Sequence, residues 1–393
     1  MVLYFITIGF ADYMTEIKIR DGFLNITKFK EMIFMTLLAL AGLGYTLWHI
    51  WMILPLDTVW RILIVGGCLG AFLFLFLNFM PFLGKVPLWL SSTIYEIGTS
   101  SIFILLYLVM IFVLLDLGRL VHLVPKAWLV SNGLASLCVL AAIAGIFIYG
   151  NIHYKHKVRQ PLELTTEKHL DKDLKIVMIS DLHLGYHNRR ADFAKWVDII
   201  NAEKPDLILI GGDIVDINVQ PLIRENVAEE FHRLEAPVYA CFGNHEYYSG
   251  IPKALSFYKE AGINLLRDSV AAVGSLRVIG RDDRSNPKRK SLDDLMSGTA
   301  DSLYTILLDH QPYHLEEAED HGIDFQFSGH THRGQIWPAS WITDRLFEDS
   351  WGEHQRGKTR YYVSSGIGIW GGKFRIGTRS EYVVATLRSV AAN

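Results

Sequence analysis

Four stretches of the chain, Ile33–Leu54, Ile62–Gly84, Ile97–Leu115 and Ala127–Tyr154, contain no charged residue. A helix needs roughly 20 apolar residues to cross a hydrocarbon core of about 30 Å, and each stretch supplies about that many. None carries the polar stripe of a helix packed on a soluble core. Trp48, Trp51, Trp60, Trp89 and Trp128 fall toward the ends of these stretches, where aromatic rings favour the membrane interface. The pattern predicts an all-α transmembrane domain of four helices over residues 1–150. Val2–Phe10 is apolar but too short to span and is expected to be interfacial or packed.

Beyond it, 151–173 is polar, mixed in charge and without apolar period, which predicts a linker. From Leu174 the texture changes to short apolar runs alternating with amphipathic stretches, the mark of α/β units. The runs are Leu174–Ile179, Leu207–Ile210, Val238–Cys241, Leu276–Ile279, Tyr304–Leu308 and Phe325–Phe327, with closing strands expected at Tyr361–Val363 and Tyr382–Leu387. Helices are expected at Asp192–Ala202, Pro221–Leu234, Pro252–Ala261 and Tyr313–Asp320. Residues 174–393 thus form a second, α/β domain.

Composition sharpens the division. The chain of 393 residues is 20% charged, yet only Asp57, Arg61, Lys85, Glu96, Asp116, Arg119 and Lys126 are charged between Met32 and Gly150. The rest has the charge density of an ordinary soluble domain. A net charge of −3 argues against a nucleic-acid partner, whose binding rests on Lys and Arg. Cys68, Cys138 and Cys241 form neither a disulfide framework nor a CxxC metal site. With four crossings both ends lie on one side. That side carries Lys18, Arg20, Lys28, Lys30, Lys85, Lys155, Lys157 and Arg159, against Arg61, Arg119 and Lys126 on the other. The excess predicts a multi-pass inner-membrane protein with its α/β domain in the cytoplasm.

The residues that follow the apolar runs carry the chemistry. Asp181 and His183 follow the first, Asp213 and Asp216 the second, Asn244, His245 and Glu246 the third, His310 the fifth, and His330 and His332 the sixth. In α/β sheets the carboxyl ends of the strands form the ligand crevice, so five strands deliver these groups to one edge. Oxygen and imidazole donors without thiolate suit Mn, Fe or Zn. Such a set exceeds the need of one ion, and two ions sharing a carboxylate would take up seven donors and clamp a phosphoryl group. Glycines at 212, 243 and 329 allow the backbone to turn sharply beside them.

The ordered set Asp-x-His, Gly-Asp-x-x-Asp, Gly-Asn-His-Glu, His and Gly-His-x-His, within Leu174–Leu387, resembles the calcineurin-like metallophosphoesterase superfamily. That resemblance implies a four-layer α/β/β/α sandwich and two divalent metal ions. It implies that Asp181, His183 and His332 hold one ion, that Asn244, His310 and His330 hold the other, and that Asp213 bridges. It further implies that His245 is catalytic, assisting the leaving oxygen or stabilising the charged transition state, while Asp216 and Glu246 support ligands or cap a helix. Residues 329–335 and Trp370–Arg375 look like the membrane-anchored branch, which includes UDP-2,3-diacylglucosamine pyrophosphatases. The expected activity is hydrolysis of a phosphodiester or pyrophosphate bond. The helices suggest a lipid-linked substrate. The alternatives are an anchored phosphodiesterase or phosphatase acting on soluble substrates, and a non-catalytic membrane sensor or scaffold.

Two further patterns are expected to be accidental. Gly352–Thr359 spells a phosphate-loop string but is followed by a strand where that loop needs a helix. Gly366–Gly371 spells a dinucleotide string and reads as a loop closing over the site. Arg189, Arg190, Arg281, Arg284 and Arg333 are candidates to meet a substrate phosphate, each weighed against an ordinary surface role. The basic stretch Arg284–Lys290 is expected to be an exposed loop within reach of anionic head groups.

Overall fold

The computed structural model describes residues 26–78, 80–297 and 302–390; Val2–Phe10, Lys18 and Arg20 lie outside them. Four helices come first: α1 (Ile26–Ile53), α2 (Thr58–Leu77), α3 (Leu88–Leu120) and α4 (Gly133–Lys155). All four are long and apolar enough to cross a membrane. Their starts are set by local chemistry. Asp57 caps α2 by accepting from the Trp60 amide, Pro87 precedes α3, and Asn132 caps α4 by accepting from the Ala135 amide. The second uncharged stretch holds more than one helix: α2 stops at Leu77 and a short turn of helix occupies Pro81–Gly84. α3 overruns its apolar stretch at both ends. Its N-terminal half buries Ser91, Tyr95, Gly98, Thr99 and Phe103.

The α/β part contains two six-stranded sheets. The first orders β1 (Lys157–Thr166), β12 (Ser380–Ser389), β2 (Leu174–Ile179), β3 (Leu207–Ile210), β4 (Val238–Ala240) and β5 (Asn264–Leu265). The second orders β10 (Gly352–Arg356), β11 (Thr359–Val363), β9 (Phe325–Ser328), β8 (Tyr304–Leu308), β7 (Leu276–Gly280) and β6 (Ser269–Val273). Ile176, Met178 and Leu209 of the first sheet and Val278, Ile306 and Phe327 of the second share one core. The first sheet's other face is covered by α5 (Arg190–Ala202) and its neighbours, the second's by short helices around Leu295 and Ala318. This is the four-layer α/β/β/α sandwich. Central strands such as β3 are buried at every residue, as expected of parallel strands covered on both faces.

Residues 151–173 are not a linker. α4 runs to Lys155, and after His156 the chain enters β1, which pairs in parallel with β12 over its full length. Leu162 and Leu164 point into the inter-sheet core while Glu163 and Thr165 face water. An edge strand with so few inward apolar residues gives too short an alternation to stand out in sequence, and its Pro161 is tolerated at an edge. The sandwich is therefore joined directly to a membrane helix. The expected helix at Pro221–Leu234 is likewise two short ones, Gln220–Arg224 and Ala228–Phe231.

Candidate metal centre

The carboxyl ends of β2, β3, β4, β8 and β9 converge. Asp181 and His183 follow β2, Asp213 follows β3, Asn244 and His245 open the helix α6 (Asn244–Ser249) beyond β4, His310 follows β8, and His330 and His332 follow β9. All eight are buried. Asp181, His183 and His332 bring one donor atom each within 4.8 Å of the others, and so do Asp213, His310 and His330, and also His183, Asp213 and His245. His183 Nε2 and His332 Nε2 face one another at 3.1 Å. Asp213 Oδ2 lies 3.1 Å from His310 Nε2 and 3.6 Å from His183 Nε2, between the two groups. His330 Nδ1 lies 3.0 Å from Asn244 Oδ1. The structure thus gathers the seven expected ligands and His245 in one place.

Holding them there requires unusual backbone. Asp181, His183, Asp213, His330 and His332 all have φ between 45° and 71°, a region costing a non-glycine residue about 1–3 kcal/mol. Close approach excludes side chains nearby: a Cβ on Gly243 would sit 2.2 Å from Asp213 Oδ1, and one on Gly329 2.3 Å from Asp181 Oδ2.

Supporting groups fix the rings. His310 Nδ1 donates to the Gly211 carbonyl at 2.6 Å. Asp216 Oδ1 lies 3.4 Å from His183 Nδ1 and 3.2 Å from His245 Nδ1, leaving each ring its Nε2 for the centre. Glu246 accepts from the Gly243, Asp213 and Val215 amides, tying α6 to the β3 turn. Arg375, fully buried, donates to the His332 carbonyl at 2.7 Å and to the Ser365 and Gly368 carbonyls. The 366–371 segment lies against Asp181 and accepts a bond through Ile369 from His187. Gly352–Thr359 is a β10–β11 hairpin, so no phosphate loop exists there.

The electrostatics follow from burial. Burial raises the Asp181 carboxyl. It acts likewise on Asp213, but His310 and His245 outweigh it and hold that carboxyl well below its ordinary range; His183 and His245 do the same to Asp216. Burial works against the His245 imidazolium, yet Asp213 and Asp216 move it up to about 9. Burial also depresses His330 and His332. His330 Nε2 and His332 Nδ1 are buried without hydrogen-bond partners. Carboxylate oxygens and imidazole lone pairs converging in a dry site are poorly compensated without a cation, and the donor chemistry fits hard or borderline divalent ions.

Of the candidate arginines, Arg189 and Arg190 pair with Glu225 and Glu230, and Arg281 with Asp309 and Glu317. Arg284 lies over Tyr313 and Arg333 over Trp351. Two contributors from α3 lie outside the motifs. The buried Tyr95 hydroxyl donates to Asp216 Oδ2 at 2.7 Å, with its ring stacked on His187. Phe103 lines the cavity above Asp213, Asn244, His245, His330 and His332, together with Ala339, Ile342 and Trp370. Phe103 lies within an apolar span, a place that favoured a lipid-facing reading, and Tyr95 lies beside Glu96 just before that span.

Residues 174–334 match the calcineurin-like phosphoesterase family. An uncharacterized metallophosphoesterase of Helicobacter pylori (strain J99) is 35% identical over 57% of this chain and 62% of its own, so the match spans a little under two thirds of that relative. One from Aquifex aeolicus is 31% identical over 63% of this chain and 98% of its own. A zebrafish transmembrane protein with metallophosphoesterase domain is 27% identical over 77% of this chain and 74% of its own. That coverage exceeds the length after Lys157, so the likeness runs into the helices. A relative covered over nearly its full length at this identity and a donor set with five strand ends in register lead to one conclusion: the chain belongs to the calcineurin-like metallophosphoesterase family.

Proposed function

We propose that the protein is an integral membrane phosphoesterase with a dinuclear metal centre, hydrolysing a phosphodiester or pyrophosphate bond in a lipid-linked substrate. The observation that carries the lipid reading is the cavity itself. Its lining combines Asp213, Asn244, His245, His330 and His332 with Phe103 of a membrane helix, Ala339, Ile342 and Trp370. A phosphate would meet the polar groups while an attached chain meets the apolar ones. The narrower likeness to UDP-2,3-diacylglucosamine pyrophosphatases rests on residues 329–335 and 370–375 alone.

Asp181, His183 and His332 would hold one ion, Asn244, His310 and His330 the other, with Asp213 shared; manganese, iron and zinc all suit this set. Such ions supply Lewis acidity, drawing charge from phosphoryl oxygens and making water acidic enough to ionise near neutral pH. His245 borders the cavity, and its Nε2 is placed to give a proton to the leaving oxygen. Asp216 holds that ring from behind through Nδ1, and Tyr95 holds Asp216.

The test uses the full chain in micelles, because α3 is part of the site. Lipid pyrophosphates and diesters of graded chain length, cyclic nucleotides and a chromogenic diester would be compared. Apolar contacts that help reach the transition state raise kcat as well as lower KM, so kcat/KM is expected to climb with chain length. Equal kcat/KM for long-chain and soluble substrates would overturn the lipid reading and leave the helices as an anchor.

We also propose that the protein lies in the inner membrane with the sandwich in the cytoplasm. The support is the excess of basic residues on that side, Lys85 and Lys155–Arg159 among them. A reporter fused after Asn393 is expected to behave as cytoplasmic; labelling of the sandwich from outside sealed cells would reverse the orientation.

A further inference from the structure

The sandwich touches the membrane helices far along their length. The Tyr107 hydroxyl donates to the Trp337 carbonyl at 2.6 Å. The Phe374 ring meets Phe147 edge-on at 4.7 Å. Ile336, Ala339 and Trp370 share a core with Leu75, Ile102, Phe103, Tyr107 and Phe147.

These contacts can be placed in depth. Leu120 ends α3 and Gly133 begins α4, and the charged residues Arg61, Arg119 and Lys126 gather at that far end. At 1.5 Å per residue, Tyr107 lies about 20 Å from Leu120 and Phe147 about 21 Å from Gly133. A hydrocarbon core is about 30 Å thick. Two helices running in opposite directions therefore put the contacts about 10 Å inside the boundary nearer the sandwich.

At this level the sandwich exposes large apolar side chains beside two charges, Asp344 and Arg345. The helix α7 (Ala339–Leu346) and the residues before it present Trp341 at 62% exposure, Leu346 at 45% and Trp337 at 38%. Trp337 and Trp341 form an edge-to-face pair at 5.4 Å on one outward face. The opposite face sends Ala339, Ile342 and Thr343 into the cavity wall. The charges of this helix lie in its second half: Asp344 accepts from the Ser350 hydroxyl, and Arg345 is in the last turn. A long arginine there reaches head-group phosphates with its stem in apolar surroundings.

We propose that Trp337–Leu346 is a membrane-inserted element of the catalytic domain, with the two tryptophans among the lipids of the near leaflet. Tryptophan favours that zone, and interfacial helices sit about 5–10 Å into it. The occupant of this surface is lipid, because the spanning helices that carry the segment fix its depth. The cavity wall then belongs to a helix immersed in the leaflet, and a substrate reaches it sideways from the bilayer. The insertion stands whether or not the substrate proves to be a lipid.

The test is a depth measurement independent of hydrolysis. In full-length protein with Cys68 and Cys138 replaced by Ala, Trp341→Cys would carry a nitroxide in phospholipid vesicles. Glu229→Cys, on the exposed side of the sandwich, is the aqueous reference. Turnover of a chromogenic diester confirms folding, and Leu346→Cys replaces Trp341→Cys if that variant is inactive. The expected result is relaxation by oxygen several-fold above that by a water-soluble nickel chelate, at a depth of about 5–10 Å. Nickel accessibility equal to that at Glu229 would overturn the proposal. Shielding from both reagents, which marks a protein partner, would overturn it as well.

Discussion

Asp213→Ala is expected to abolish both metal binding and turnover. Asp213 Oδ2 reaches toward His310 and His183, which belong to different donor groups, at 3.1 and 3.6 Å. Its Oδ1 accepts from the His245 amide at 2.9 Å. In the proposed assignment the substitution removes a ligand shared by both ions; it also takes one counter-charge from the crowded imidazoles and frees the start of α6. Loss of one electrostatic donor alone costs about 10²–10³ in kcat, so the fall here should exceed about 10³. Elemental analysis and single-turnover assays of the purified variant provide the check. Two retained ions per chain would show that Asp213 does not bridge.

His245→Ala is expected to separate chemistry from metal binding. The His245 amide donates to Asp213 Oδ1, and alanine keeps that bond. The ring borders the cavity with Nδ1 turned to Asp216; in the proposed assignment its removal takes away a proton donor and none of the seven ligands. General acid–base groups contribute about 10²–10⁴ in rate, and kcat should fall by that factor with metal content unchanged. If the variant loses its metal, His245 is a ligand; if its kinetics are unaltered, the ring has no part in the reaction.

The metal centre was legible because its residues are short motifs at the ends of buried strands, and such strands announce themselves as apolar runs. Leu207–Ile210 followed by Gly-Gly-Asp is the clearest case. β1 was not, since only Leu162 and Leu164 mark its inward face. α7 escaped for the opposite reason. Its apolar residues serve two surroundings, Ile342 the cavity and Trp341 the exterior, so no single stripe develops over eight residues. Tyr95 and Phe103 show what a sequence withholds in principle. The half of α3 that docks does differ from the rest, carrying Ser91, Ser92, Thr93, Glu96, Thr99, Ser100 and Ser101 where 105–115 is wholly apolar or aromatic, but that contrast does not say which domain it meets.

A metal titration counts the ions that turnover requires. Full-length protein would be stripped with a chelator and returned to manganese in known equivalents while hydrolysis of a chromogenic diester is followed. No turnover is expected in the stripped protein, and a plateau at two equivalents per chain, one for Asp181, His183 and His332 and one for Asn244, His310 and His330. Full turnover in the stripped protein, or a plateau at one equivalent that a second leaves unchanged, would contradict the dinuclear assignment.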